Sequence, residues 1–308
     1  MAPSPPTLFN DEPSPAMRVI SASRRTDIPA FYTPWLLNRL RAGFCDWANP
    51  FGGKINRVSL RAEDCIALVF WTRNPAPLLP HLAALRADGY HCYVHFTLTG
   101  YPRLLEPFAP PVEDALDSFR RLAGIIGDEF VQWRYDPLLI GSLLPMDEHR
   151  ARFTTLARAL QGYTRRCLTS FVSLYGKTAR NLHRLAAEQH LVWENPEVAE
   201  RRALCETLRD IAGEYGMTLY ACCNPELVGD GIPQAHCIDP LLLRKLRPDL
   251  ATRLRHQPTR PGCGCVAATD IGAYDTCVHG CVYCYATNSR AIALKHLQAH
   301  DPQATLLR

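Results

Sequence analysis

Short runs rich in β-branched and aromatic residues alternate along the chain with longer stretches in which apolar residues recur every three or four positions. The first run, MRVISAS at 17–23, predicts a strand, and TPWLLNRLRAG at 33–43 predicts a helix closed by Gly43. IALVFWT predicts the second strand, and the helix after it has Pro77 near its start and Gly89 past its end. CYVHFTLT, FVQWRYDPLL, CLTSFVSL and MTLYACC predict four more strands. VEDALDSFRRLAGIIG, MDEHRARFTTLARALQG and ERRALCETLRDIAGEYG predict helices between them. Strand–helix alternation at this spacing implies parallel βαβ units, at least six in succession with no linker. The expected fold is α/β, a complete or partial (β/α) barrel, with an open doubly wound sheet as the alternative. Residues 18–290 read as one barrel-like domain, with a Pro-rich disordered tail at 1–17 and a C-terminal helix or tail at 291–308.

Composition narrows this only slightly. The chain has 308 residues, 47% hydrophobic, enough for a core without disulfide staples. A net charge of +4, with no evident basic helix, argues against a nucleic-acid partner. No apolar run is long enough for a transmembrane helix, and the first residues lack the order of a signal peptide, so a cytoplasmic protein is expected. In that reducing setting the 13 cysteines are not read as disulfides. Cys45, Cys65, Cys92 and Cys167 stand alone in apolar or mixed segments and read as small core residues.

Polar groups gather where the predicted strands end. Arg24, Arg25, Thr26 and Asp27 follow the first strand, and Trp71, Thr72, Arg73 and Asn74 the second. Thr97, Thr99 and Tyr101 end the third, Arg134, Tyr135 and Asp136 the fourth, and Ser170 and Ser173 lie on the fifth. Parallel barrels build their sites at that rim. Solvated strand ends would explain any one of these residues, but not the repeated charges beside Trp and Tyr.

The strongest chemical signal is C-x-x-x-C-x-x-C in DTCVHGCVYC: Cys277, Cys281 and Cys284. Three thiolates at this spacing can reach three irons of one cubane 4Fe-4S cluster, leaving the fourth iron open. His279 inside the motif could instead complete a structural zinc site. A fourth cysteine would make a cluster used only for electron transfer. Away from this loop, Cys222, Cys237, Cys263 and Cys265 could hold a second metal, an auxiliary iron–sulfur cluster or zinc, or could be scattered reduced thiols.

The three cysteines, with aromatic Tyr283 just before the last, resemble the signature of radical S-adenosylmethionine (SAM) enzymes. In typical members the motif follows the first strand, whereas here it lies near the C-terminal end of the sequence, in an expected cluster loop at 262–286. Over roughly residues 19–289 the chain resembles a bacterial family known as domain of unknown function 1848. The carriers are SASRRTDIPAFY, NPF, VFWTRNP, FTLTGY, WRYDPLL, HCIDPLLL and DIGAYDTCVHGCVYCYA. That family is described as having a C-terminal cysteine cluster similar to the radical SAM one. Its pattern keeps cysteines at the places of Cys222, Cys237 and one or both of the pair Cys263 and Cys265, which implies that Cys223 is the extra one.

The resemblance implies an enzyme that cleaves SAM reductively to start radical chemistry on an unknown substrate. It implies an electron donor such as flavodoxin or ferredoxin. SAM on the open iron would need partners at the rim. Arg24, Arg25, Arg73 and Arg134 are candidates for its carboxylate, and Asp27 and Asp136 for its ribose hydroxyls. Tyr101 and Tyr135 are candidates to stack on adenine or to carry a proton or radical. The alternative is that these charges are salt bridges closing the barrel mouth. For the whole protein the alternatives are a non-catalytic electron-transfer iron–sulfur protein and a structural zinc-binding protein.

Overall fold

The computed structural model describes residues 17–50, 52–250 and 254–307. The tail expected at 1–17 thus lies outside the described residues except for Met17, and nothing more is said of it.

Seven strands build the main sheet: β1 (Arg18–Ala22), β2 (Cys65–Thr72), β3 (Cys92–Thr97), β4 (Val131–Arg134), β5 (Arg166–Thr169), β6 (Thr218–Ala221) and β7 (Thr269–Asp270). They are all parallel, in the order β6-β5-β4-β3-β2-β1-β7. From β1 to β6 the winding runs one way, unlike a doubly wound sheet, whose order reverses. The ladder is open, with β6 and β7 as its edges. β7 escapes sequence reading because two residues carry no period, yet its pairing of Ile20 with Thr269 and Ser21 with Asp270 joins the two ends of the fold.

The helices are α1 (Ile28–Phe31), α2 (Thr33–Ala42), α3 (Leu82–Ala87), α4 (Val112–Ile126), α5 (Met146–Leu160), α6 (Gly176–Gln189), α7 (Val198–Glu214), α8 (Pro240–Leu246) and α9 (Arg290–Ala299). Gly43 ends α2 at φ 76°, the left-handed conformation a C-terminal glycine supplies without steric cost. β4 is shorter than its apolar run, because Pro137 has no N–H to continue a ladder. A hairpin of Phe44–Ala48 with Ile55–Ser59, unforeseen from the pattern, fills the connection before β2. Among the described residues no helix is long and apolar enough to cross a membrane.

Strand alternation gives the sheet two apolar faces. Ile20, Phe70, Phe96 and Trp133 pack into one core with helix residues such as Phe119, Phe153 and Leu208. Burial of each large side chain here contributes about 2–3 kcal/mol. Val19, Val69, Tyr93 and Leu168 belong to a second core, whose other half comes from the long connection between β6 and β7, through Ala235, Ile238, Leu243 and Val266. Arg166 and Asp239 form a buried ion pair across this core, at 2.7 Å. Because all strands are parallel, their carboxyl ends share one edge, and the loops after β1, β2, β4, β5, β6 and β7 contribute to one cavity there.

Candidate metal centre and its cavity

The cavity has a volume of about 1690 Å³, and both cysteine groups line it: Cys277, Cys281 and Cys284 on one side, and Cys222, Cys223, Cys237, Cys263 and Cys265 on the other. All six rim residues singled out from the sequence, Arg24, Arg25, Asp27, Arg73, Arg134 and Asp136, line it too. Tyr101 and Tyr135 do not. They lie on the helix-facing side of the sheet, where the Tyr135 hydroxyl meets Nδ1 of His149 at 3.0 Å and Tyr101 donates to the carbonyl of Pro137 at 2.7 Å. Tyr135 follows Trp133 by two residues, so it faces the same core.

The three-cysteine loop leaves the carboxyl end of β7 and is tied down by its non-cysteine residues. His279 bonds to Asp27 through Nε2 at 2.8 Å, and its Nδ1 lies 3.3 Å from the carbonyl of Phe108. Asp27 also accepts from the backbone N–H of Ala30, capping α1, and from that of Arg73 at 2.8 Å. One buried carboxylate thus links the loops after β1 and β2 to the cysteine loop. Tyr283 donates to Glu106 and accepts from Arg73 at 2.5 Å, while Arg73 pairs with Glu106 at 3.0 Å and Thr99 donates to Glu106 at 2.6 Å. Tyr285 donates to the carbonyl of Arg24 at 2.9 Å. Burial pushes the thiols of Cys277 and Cys281 up, Cys281 to about 12, even with Arg73 opposing the shift. Thiols this reluctant to ionise need a cationic partner, such as a metal, to become thiolates.

At the other edge of the same loop, Asp270 gathers the residues after β1. It accepts from Ser21 at 2.8 Å, Ser23 at 2.5 Å and the backbone N–H groups of Arg24 and Gly272 at 3.0 Å, and it pairs with Arg25 at 3.2 Å. Burial raises its carboxyl, but Arg25 and these donors outweigh burial and hold it below its ordinary range. Gly272 packs so closely on Ser23 that a Cβ would lie 2.1 Å from the Ser23 hydroxyl.

The second group assembles from three segments. Cys222 and Cys223 follow β6, Cys237 follows the parallel bridge of Gln234 with Ala221, and Cys263 and Cys265 come from the turn at 260–265. The Sγ atom of Cys222 lies 3.6 Å from that of Cys237 and 3.9 Å from that of Cys223. The Cys263 thiol interacts with Cys223 and Cys265, and the Cys265 thiol with Cys237. Cys223, which reads from the sequence as the extra cysteine, is therefore part of the group. Contacts with the thiols of Cys222 and Cys265, then the nearby Arg134, hold Cys237 below the ordinary thiol range. Arg134 donates to Cys237 Sγ at 3.1 Å and pairs with Asp136 at 2.5 Å, and Asp136 accepts from Ser170. The backbone N–H of Ile238 donates to Cys265 Sγ at 3.3 Å. A Cβ on Gly264 would sit 2.4 Å from the His236 ring, so only glycine fits between these two cysteines. Among the described residues no three or more His, Cys, Asp or Glu side chains converge in an arrangement ready to hold a metal ion.

Sequence reasoning missed Glu106 and Asp270. Glu106 sits in a proline-flanked loop that carries no pattern. Asp270 had a weak signal, an acid one residue before a glycine-containing turn. Cys45, Cys65 and Cys167 are buried as expected, and Cys92 is half-buried.

The sequence pattern of one family, described as Domain of unknown function (DUF1848), matches residues 19–286. Neither a curated protein nor a solved structure matches the chain.

Proposed function

We propose, from the premise that the chain belongs to the DUF1848 family, that it is an iron–sulfur protein of radical SAM-like type. In this reading Cys277, Cys281 and Cys284 hold a 4Fe-4S cluster whose fourth iron is left to SAM. Such a cluster, when bound and reduced by a donor such as flavodoxin or ferredoxin, supplies the electron that cleaves the sulfonium of SAM. The observation that carries the reading is the commitment of His279. The motif's one other metal-ligating side chain also lines the cavity, but its two ring nitrogens meet Asp27 and the carbonyl of Phe108, which leaves the three cysteines as the motif's ligands. The thiolates of a cubane sit on different irons, so they need not converge on one point.

The place of the loop adds support. In spatial order β7 stands before β1, so the motif follows the edge strand of a one-way parallel sheet, as it follows the first strand in typical radical SAM chains. The loop is late only in sequence.

The rim divides by the company each arginine keeps. Arg25, Arg73 and Arg134 are paired with Asp270, Glu106 and Asp136. Asp27 is bonded to His279. These five candidates, Asp136 among them, hold loops in place. Arg24 differs: its guanidinium lies over the Trp71 ring at 5.4 Å, and its Nε is buried without a partner. Arg24 makes no ion pair among the described residues, Asp270 acting on it only through space, and it is the rim arginine we assign to the carboxylate of SAM.

The two sulfur spacings at Cys222 suit one tetrahedral ion better than a cubane, and the remaining thiols would close in on such an ion to complete its ligands. Zinc–sulfur bonds of about 2.3 Å give sulfur–sulfur edges of about 3.8 Å, close to the 3.6 and 3.9 Å at Cys222. We assign it a zinc held by thiolates drawn from Cys222, Cys223, Cys237, Cys263 and Cys265.

The test is anaerobic reconstitution with iron and sulfide, followed by dithionite and SAM. We expect 5′-deoxyadenosine, and none from Cys281→Ala. A protein that makes no deoxyadenosine and holds zinc on the Cys277–Cys284 loop would overturn the reading.

A further inference from the structure

Charge around the cavity is one-sided. Eight arginines and one lysine line it against three aspartates. All three aspartates are already engaged, Asp27 by His279, Asp136 by Arg134 and Asp270 by Arg25. Lys177 and Arg260, on the side of the cavity formed by the loop after β5 and the 260–265 turn, reach no carboxylate among the described residues. Lys177 lies over the Tyr274 ring at 5.5 Å, and Arg260 donates weakly to the hydroxyls of Ser173 and Tyr175, at 3.4 and 3.5 Å. Arg260 also meets the Cys223 thiol, but neither cation has a carboxylate to balance it, and an oxyanion bound between them would supply that balance.

Two further observations point the same way. The first turn of α6, at Gly176, Lys177 and Thr178, lines the cavity, and Tyr175 at its N-cap supplies no side-chain cap. Its N–H groups and the positive end of the helix dipole are therefore free to act on an anion. Thr26, 4% exposed, lines the same cavity with its hydroxyl buried and unpartnered. The cationic side also adjoins the cysteine loop. Thr178 donates to the carbonyl of Tyr283 at 3.3 Å, and the rings of Tyr175 and Tyr285 lie 6.0 Å apart, Tyr285 being next to Cys284 in the chain.

We infer that this wall binds an acidic group of the substrate, a carboxylate or a phosphate, through Lys177, Arg260 and the first turn of α6. The inference rests on the reading of the site as an enzyme's and names its substrate class. Arg24 is stacked on Trp71 and is none of these groups, so the cofactor's carboxylate and the substrate's acidic group are assigned separate anchors.

The test is calorimetric titration of the full chain, with inorganic pyrophosphate and with citrate, and needs no cluster. One probe should bind saturably at one per chain. The tighter of the two identifies phosphate or carboxylate as the recognised group. Lys177→Gln with Arg260→Gln should weaken binding at least ten-fold with the melting temperature kept. Lys177→Gln alone, a change in a first helical turn without tertiary ion pairs, should weaken it several-fold. Saturation by neither probe, unaltered binding in both variants, or tighter binding of a single-stranded oligothymidylate would each overturn the inference. Deoxyadenosine formed by a protein that binds neither probe discards this inference alone. Saturable probe binding by a protein that forms none discards the enzyme reading and leaves an anion site.

Discussion

The two cysteine groups face one cavity but are built in opposite ways. In the Cys277 loop the cysteines are neighbours in sequence, and the residues between them do the fastening. His279 goes to Asp27, and Tyr283 goes to Glu106 and Arg73. In the second group the thiols themselves make the contacts, and the segments that bring them together lie up to some forty residues apart. The first is a pre-shaped loop around open space, and the second a set of sulfurs already near one another. A cluster of several irons needs the former, and a single ion the latter.

Metal analysis of two variants breaks this comparison most sharply. After anaerobic reconstitution, Cys281→Ala should lose nearly all bound iron and keep zinc, while Cys237→Ala should lose zinc and keep most iron. Equal loss of both metals in either variant would mean that the groups form one site. Next comes the fastening of the loop. Glu106→Gln leaves the buried Arg73 without its counter-charge, and removing one partner of a buried pair costs about 3–5 kcal/mol. Chemical denaturation should show that loss, with iron retention falling more than zinc retention. The smallest effect is an acid sensitivity of the scaffold common to both groups. His149 is buried, and burial lowers its pKa from 6.5 to about 4. It is neutral in the fold, so its contribution is complete above pH 6.5 and is lost as the pH falls toward 4. The loss should reach about 3 kcal/mol, and His149→Gln should remove most of that slope in a denaturation series between pH 7 and 4.

What the sequence disclosed follows the same division. Local periodicity marks β1 to β6 and most helices, because burial of one face leaves a period in the chain. The C-x-x-x-C-x-x-C loop is legible for the same reason, since its geometry is local. The Asp27–His279 bond joins residues 252 apart and the Glu106–Tyr283 bond residues 177 apart, and no spacing rule connects them. The charged rim was visible as a set, but its pairings were not. Whether an arginine serves a ligand or a neighbour depends on Asp270 and Glu106, which only the fold brings within reach. Cys223 reads as surplus because the family pattern keeps the other cysteines, and only the assembled segments show its sulfur beside that of Cys222.

The meeting of β7 with β1 bears on the order of events during synthesis. The turn after β1 is held by Asp270, a partner translated about 250 residues later. A nascent chain can stack β1 through β6 and still lack the acceptor that settles Ser23, Arg24 and Arg25. The metal loading proposed at Cys277 would therefore come after nearly all of the sheet exists, and a ribosome stalled before residue 270 would leave the arginines of that turn without their carboxylate.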